Sequence, residues 1–121
     1  MYIILAQAFW HWQDRDAKGL GPSTFDVWLA VSRDGNQFQR AGNRKPFIAT
    51  GPEGRFDSRF VWAMLHPVRM GDSLWIYYVG TNQDHDRQID PAAAGKHLTG
   101  IGRAVLRRDG WVSADAGLTG Q

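Results

Sequence analysis

The chain has 121 residues, carries 14 Lys and Arg against 12 Asp and Glu, and lacks cysteine. This length predicts one domain, residues 1–121, and the absence of cysteine excludes disulfides and thiolate metal sites and favours a cytoplasmic location. Because the formal net charge is only +2 and basic residues alternate with acidic ones, we predict no nucleic-acid partner.

The first third of the chain contains two predicted strands. Residues 1–6 are apolar, but no basic segment precedes them and they are too short to span a bilayer, so we predict no signal peptide and no membrane partner. We interpret residues 2–12 as a strand covered on both faces. After a polar loop at 13–24, residues 25–31 alternate well enough for a second strand.

An Asp-Gly hairpin follows the second strand. Asp34-Gly35 is a dipeptide that holds the positive φ angles of a tight primed turn, and Phe38 begins the partner strand, 38–41. The next segment, 43–58, is rich in glycine, proline and charge. It predicts an extended connection rather than a central strand.

The second half of the chain predicts a further run of strands. Residues 61–68 form a short strand broken by Pro67, and a Gly-Asp turn joins 68–70 to 73–79, which has the strongest β propensity in the chain. The polar loop 81–99 includes one helical turn at 91–94. Residues 100–106 then lead into a second Asp-Gly hairpin, which repeats the pattern of residues 31–38 at 105–112. A hairpin that recurs at this separation favours a repeat of four-stranded units.

Four segments carry a family resemblance: 29–38, 46–48, 51–58 and 71–78, which read LAVSRDGNQF, PFI, GPEGRFDS and GDSLWIYY. In this order and spacing they resemble late blades of five-bladed β-propeller glycoside hydrolases, the invertase, levanase and arabinanase-like proteins. The resemblance implies an all-β fold of antiparallel sheets that form nearly two blades, at about 1–45 and 56–121. The first blade would supply three strands and the second all four.

Incomplete blades leave open strand edges, and these strands are too aromatic to stand uncovered in water. We therefore expect self-association into a homo-oligomer in which copies complete one another's sheet. Two alternatives stay open: the chain is a fragment of a longer protein, or it has rearranged into a small sandwich or open barrel.

Glycoside hydrolysis needs two carboxyl groups that face each other across the scissile bond. The resemblance implies that Asp57, with Ser58, faces a central pocket, whereas the family's nucleophile, Arg-Asp-Pro and general-acid motifs are absent here. Glu53 is the next candidate, although its position between Pro52 and Gly54 fits a solvated loop acid better, and a turn-capping role is the alternative for Asp57. Asp84 and Asp86 complete the set of candidate carboxylates.

The remaining candidates are binding residues. The loop at 81–87 has the donors and acceptors of a sugar-binding loop, or of any solvated loop, and its candidate ligands are Asn82, Asp84 and His85. Adjacent residues there point in alternate directions, so we predict no metal site, and nothing in the sequence calls for a cofactor.

Three aromatic candidates are ambiguous. His66 is either a hydrogen-bonded core histidine or, by the resemblance, a neighbour of Asp57 and Arg59. Trp10 and His11 are either part of the core or a platform on which a pyranose ring stacks.

Two functional hypotheses result. The first is a carbohydrate-binding or interaction module derived from a glycosidase propeller and without catalysis. The second is a glycoside hydrolase, or a piece of one, whose site forms between subunits and uses Asp57 with His66 or Glu53.

Overall fold

The computed structural model describes residues 1–11, 23–43 and 45–111. It contains seven strands: β1 (Tyr2–His11), β2 (Ser23–Ser32), β3 (Gln39–Arg40), β4 (Phe60–Ala63), β5 (Val68–Met70), β6 (Ser73–Thr81) and β7 (Thr99–Arg107). The predicted all-β class is confirmed. The helical turn predicted at 91–94 is present as a 3-10 turn, Pro91–Ala93, and no helix in the described ranges is long and apolar enough to cross a membrane.

All seven strands belong to one mixed sheet. β1 pairs antiparallel with β2 along its whole length, and β6 pairs antiparallel with β7 in the same way. Between these two hairpins, β2 pairs antiparallel with β3 and parallel with β4. The parallel pairing is made by Phe25 and Phe60. The expected antiparallel sheets are therefore joined into one sheet by a parallel contact. The division into two propeller blades stays a prediction.

The first Asp-Gly hairpin forms, but the predicted tight primed turn is wrong. Residues 33–38 connect β2 to β3, and Gly35 (φ 79°), but not Asp34, has a positive φ. Asp34 Oδ1 instead accepts hydrogen bonds from the backbone N–H groups of Gln37 and Asn36 and from the Ser32 hydroxyl, each at 2.9 Å. These bonds lower the pKa of Asp34 to about 2. A carboxylate that caps the loop thus replaces the tight turn.

The second Asp-Gly sequence also lacks primed geometry, because Gly110 has no positive φ and its N–H donates to the Arg107 carbonyl at 2.9 Å. The strand expected after it, from residue 112, lies outside the described residues. The predicted hairpin between β5 and β6 is confirmed, with Gly71 at φ 60° in its turn.

The hydrophobic core joins three strands and one connection. Its buried residues come from β2, β4, β6 and the connection at 43–58: Val27, Ile48, Val61, Ala63 and Ile76. Ile48 joins them because its backbone exchanges two hydrogen bonds with Val27, at 3.0 and 3.1 Å. The connection that the sequence predicted as merely extended therefore contributes one residue of the hydrophobic core.

The strand predicted at 61–68 is two shorter strands. β4 ends at Ala63, and the chain leaves the edge of β6 before it returns as β5 at Val68. Pro67 lacks the N–H that a continuous ladder requires. The segment between the two strands contains His66, which is exposed. The expectation of a core histidine at this position is therefore wrong.

Candidate functional site

Most of the predicted site residues lie at one end of the sheet, where β6 ends and β2 and β4 begin. The backbone of Arg59 joins these strands, because its N–H donates to Thr81 (3.2 Å) and its carbonyl accepts from Phe25 (3.1 Å). This end holds the predicted residues of two loops: Asp57, Ser58, Arg59, Asn82, Asp84 and His85. Trp10 and His11 end β1 nearby, and the His11 side chain lies outside the described part. His66 does not join this group.

Asp57 is held in place by its neighbours. Its carboxylate accepts a hydrogen bond from the Tyr78 hydroxyl at 2.9 Å, and its carbonyl accepts one from the Gly51 N–H, also at 2.9 Å. A Cβ atom on Gly80 would lie 2.6 Å from the Asp57 Cβ, and one on Gly51 would collide with its carboxylate. Burial, and then the Asp57 hydrogen bond and charge, raise the pKa of Tyr78 to about 12. The Tyr78 phenol therefore keeps its proton over the whole physiological range.

Alternating glycines on β7 make room for this arrangement. The Phe56 ring stacks on Tyr78 with centroids 6.4 Å apart and lies over Gly100. The Tyr78 ring covers Gly102, its cross-strand partner, where a Cβ atom would collide with the phenol. The glycines of β7 thus allow two aromatic rings to lie flat on the sheet and to position Asp57 at its end.

Asp90 is a buried carboxylate that the sequence analysis did not select. It is 1% exposed. Its Oδ2 accepts from the Gly54 N–H at 2.7 Å, and its Oδ1 accepts from the Ala92 N–H at 3.0 Å and from Arg59 Nη2 at 3.4 Å. Asp90 therefore ties the 51–58 loop to the 3-10 turn that it caps.

The pKa of Asp90 reflects this environment. Burial acts to raise it, but the nearby Ser58 hydroxyl, the two backbone N–H groups and the Arg59 charge together lower it. The sequence signal was the Asp-Pro step at 90–91, since an aspartate before a proline at the first helical position is a helix start.

Arg59 lies between two carboxylates of different exposure. Its Nη2 is 3.4 Å from the buried Asp90 and 4.0 Å from Oε1 of Glu53, whose side chain is 77% exposed. Both acids thus face a guanidinium. The predicted solvated role fits Glu53, whereas Arg59 is occupied by the buried ion pair.

Asn82 and Asp84 turn their polar atoms into their own loop. Asn82 is fully buried, donates to the Lys96 carbonyl at 2.8 Å and accepts from the Leu98 N–H at 2.8 Å. Asp84 accepts from the Gln88 N–H at 2.7 Å. Both side chains shape the loop at 82–98, which leaves them few groups for a ligand. The described residues contain no group of three or more His, Asp or Glu placed to hold a metal ion.

His85 begins a row of rings that crosses three strands. Between ring centroids, its exposed imidazole lies 5.1 Å from Phe9. Phe9 lies 4.7 Å from Phe25, and Phe25 lies 4.5 Å from Phe60. Phe60 stacks on Trp62 at 5.9 Å. Phe9 and Trp62, near the two ends of this row, are each 46% exposed. An aromatic platform therefore exists at this end of the sheet, built from Phe9 and Trp62 with His85.

The row continues into an apolar surface on the side of β4–β7 that is opposite Val61, Ala63 and Ile76. We call this surface the outer face; its residues are Trp62, Val68, Trp75, Tyr77, Val79, Ile101, Arg103 and Val105. The pairing places Val79 between Trp62 and Ile101, and Trp75 between Val68 and Val105. Ile101 is 71% exposed and Val105 is 54% exposed. An antiparallel sheet with one face in water normally carries polar residues there, so this apolar face is typical of a binding surface.

The charges of the outer face are all positive. The Arg103 guanidinium lies 4.0 Å above the centre of the Trp75 ring. Arg107, opposite Ser73, lies on the same side of β7. The four strands β4, β5, β6 and β7 contain no aspartate or glutamate. The outer face was not predicted from the sequence, although the unbroken apolar run at 74–79, in the strand of strongest β propensity, was its signal.

A groove of about 460 Å³ lies at the opposite end of the β1–β2 hairpin. Its lining residues are Met1, Val31, Ser32, Arg33, Asp34, Gln37 and Gln39. Its volume falls within the range of small-molecule sites. The Asp34 carboxylate in its wall is already bonded within the loop, so we do not assign a ligand to this groove.

Comparison with known proteins identifies no relative, since no family model, no curated protein and no solved structure matches the chain.

Proposed function

We propose that this protein is a carbohydrate-binding module without catalysis and that its ligand lies across the outer face and the adjoining aromatic row. The observation that carries the proposal is the run of adjacent apolar side chains from Phe9 to Ile101, in which Phe9, Trp62 and Ile101 are exposed. Pyranose rings present C–H faces to which aromatic side chains offer a large, rigid contact area. In this proposal, Phe9 and Trp62 form the platform that the sequence predicted at Trp10 and His11.

The bonding of the carboxylates supports binding rather than hydrolysis. A glycosidase needs two carboxyl groups about 5 Å apart, or about 6.5–9.5 Å apart, with the substrate between them. Asp57 is bonded to Tyr78, and Asp90 is bonded to Gly54, Ala92 and Arg59. Each of these carboxylates is thus already bonded to a structural partner within the fold.

The binding test measures affinity for a panel of neutral and acidic oligosaccharides by titration calorimetry. We expect Trp62→Ala to weaken binding by roughly tenfold, the loss of one favourable aromatic contact. Phe38→Ala is the matched control, because Phe38 is 37% exposed but lies outside the outer face. Binding to no member of the panel, or equal losses in both variants, would overturn the proposal.

Catalysis is tested on the same panel by measuring the release of reducing ends. The proposal predicts none. Release that Asp57→Asn abolishes would instead support the glycoside hydrolase alternative, with Asp57 in a site formed between subunits.

We also propose that copies of the chain associate through strand edges. Among the described residues, β1 is an edge strand with β2 as its neighbour, and Tyr2 and Ile4 on this strand are 55% and 41% exposed. Such an edge is a template for pairing with another chain. Light scattering over a dilution series tests this, because a monomer at every concentration contradicts it.

A further inference from the structure

We infer that the outer face selects acidic saccharides, and that Arg103 is the specificity-determining residue that binds the carboxylate of a uronic acid. This inference rests on the proposed carbohydrate-binding function and adds the ligand class.

Arg103 is held in an orientation suited to a planar anion. It lies in the middle of β7 opposite Tyr77, and its guanidinium lies over the Trp75 ring at 4.0 Å. Stacking uses the flat face of the guanidinium and leaves the N–H groups on its edges available. Arg103 is exposed and donates no hydrogen bond within the described residues. The aromatic contact thus orients the side chain without occupying its donors.

The charge of the surrounding surface favours an anionic ligand. No carboxylate is present in β4, β5, β6 or β7, and Arg107 adds a second positive charge on the same side of the sheet. A carboxylate can accept two parallel N–H bonds from one guanidinium. A uronic acid combines that carboxylate with a pyranose ring, so one residue can contact both Arg103 and the neighbouring aromatic and aliphatic side chains.

The small number of cations argues against a nucleic acid. Binding to a phosphate backbone gains its affinity from several neutralised phosphates and weakens steeply with salt. With Arg103 on the face and Arg107 beside it, we expect a shallow salt dependence.

The experiment uses the whole chain and pairs of ligands that differ only in charge. The ligands are oligomers of galacturonic, mannuronic and glucuronic acid, each compared with its methyl ester, which keeps the ring and removes the negative charge. We expect at least one acid to bind roughly tenfold more tightly than its ester. Arg103→Gln should abolish this difference, so that acid and ester bind with equal affinity, whereas Arg103→Lys should restore only part of it, because an ammonium lacks the planar pair of donors. Arg33→Gln, in the β2–β3 connection, is the control and should keep the full difference.

The outcomes separate the two proposals. If acids and esters bind equally and Trp62→Ala weakens both, the ligand class is wrong and the binding function stands. If no acid, ester or neutral oligosaccharide binds, both proposals fail. Tighter binding of single-stranded oligothymidylate, with a steep loss as salt rises, would also overturn both.

Discussion

The Tyr78 hydroxyl donates a hydrogen bond of 2.9 Å to the Asp57 carboxylate, and this bond joins β6 to the loop that precedes β4. The carboxylate that the sequence offered as a catalytic group thus has a partner within the fold. Gly80 and Gly51 permit this close packing, because a Cβ atom at either position would collide with Asp57. The contribution of the Tyr78–Asp57 hydrogen bond can therefore be tested by measuring the free energy of unfolding of variants.

Removing the phenol hydroxyl should destabilise the protein. We expect Tyr78→Phe to lower the free energy of unfolding by about 2 kcal/mol, since the bond involves a charged acceptor. Urea unfolding measures the change. Tyr77→Phe is the control, because Tyr77 lies on the opposite face of β6, and a loss of equal size there would contradict the assignment.

Alkaline pH should act through the same residue. The pKa of Tyr78 is raised from 10 to about 12, so the folded state keeps a proton that the unfolded state has lost. The stabilisation is complete below pH 10 and is lost as the pH rises from 10 to 12. Urea unfolding at several pH values should show this decline, and the decline should be shallower in Tyr78→Phe. Identical pH profiles for the two proteins would contradict the raised pKa.

Asp90 should matter more for stability than any exposed acid. We expect Asp90→Ala to cost about 3 kcal/mol, because it leaves Arg59 without its buried partner and removes the acceptor of two backbone N–H groups. Asp72→Ala, in the exposed turn between β5 and β6, should change stability by less than about 0.5 kcal/mol. Similar unfolding free energies for the two variants would refute a structural role for Asp90.

Gly102 should tolerate a methyl group only when the ring above it is removed. Gly102→Ala places a Cβ atom against the Tyr78 phenol and should cost about 1–3 kcal/mol, as overpacking does. In a Tyr78→Ala background the same substitution should cost much less. The coupling in this double-mutant cycle is the measurement, and additive effects would show that the ring does not lie on Gly102.

Local sequence patterns predicted several elements because their causes are local. The strand at β6, the hairpin turn at Gly71 and the turn that begins at Pro91 each follow from residues within a few positions of one another. The failures are equally specific. At Asp34 the side chain captured the backbone N–H groups of the loop, and this competed successfully with the tight turn that the dipeptide permits.

The candidate site was predicted only in part, for a related reason. Asp57, Arg59 and Asn82 lie at the same end of the sheet, because the Arg59 N–H donates to the carbonyl of Thr81, the residue before Asn82. What each carboxylate binds was not readable, because Tyr78, Arg59 and Gly54 come from distant parts of the chain. His66 was misplaced, because the continuity of a strand through Pro67 depends on its pairing and not on its own apolar residues.

The sequence by itself determined the β class, the succession of strands along the chain and the high aromatic content. Strand propensity and turn chemistry act over short distances. Tertiary structure alone decided that Phe25 pairs in parallel with Phe60, that Asp90 is buried beside Arg59, and that Trp62, Ile101 and Arg103 share an exposed face. The physical reason is that register and packing assign each side chain to the core or to the surface. An apolar residue in the sequence is compatible with either side, and only the pairing of distant strands selects one.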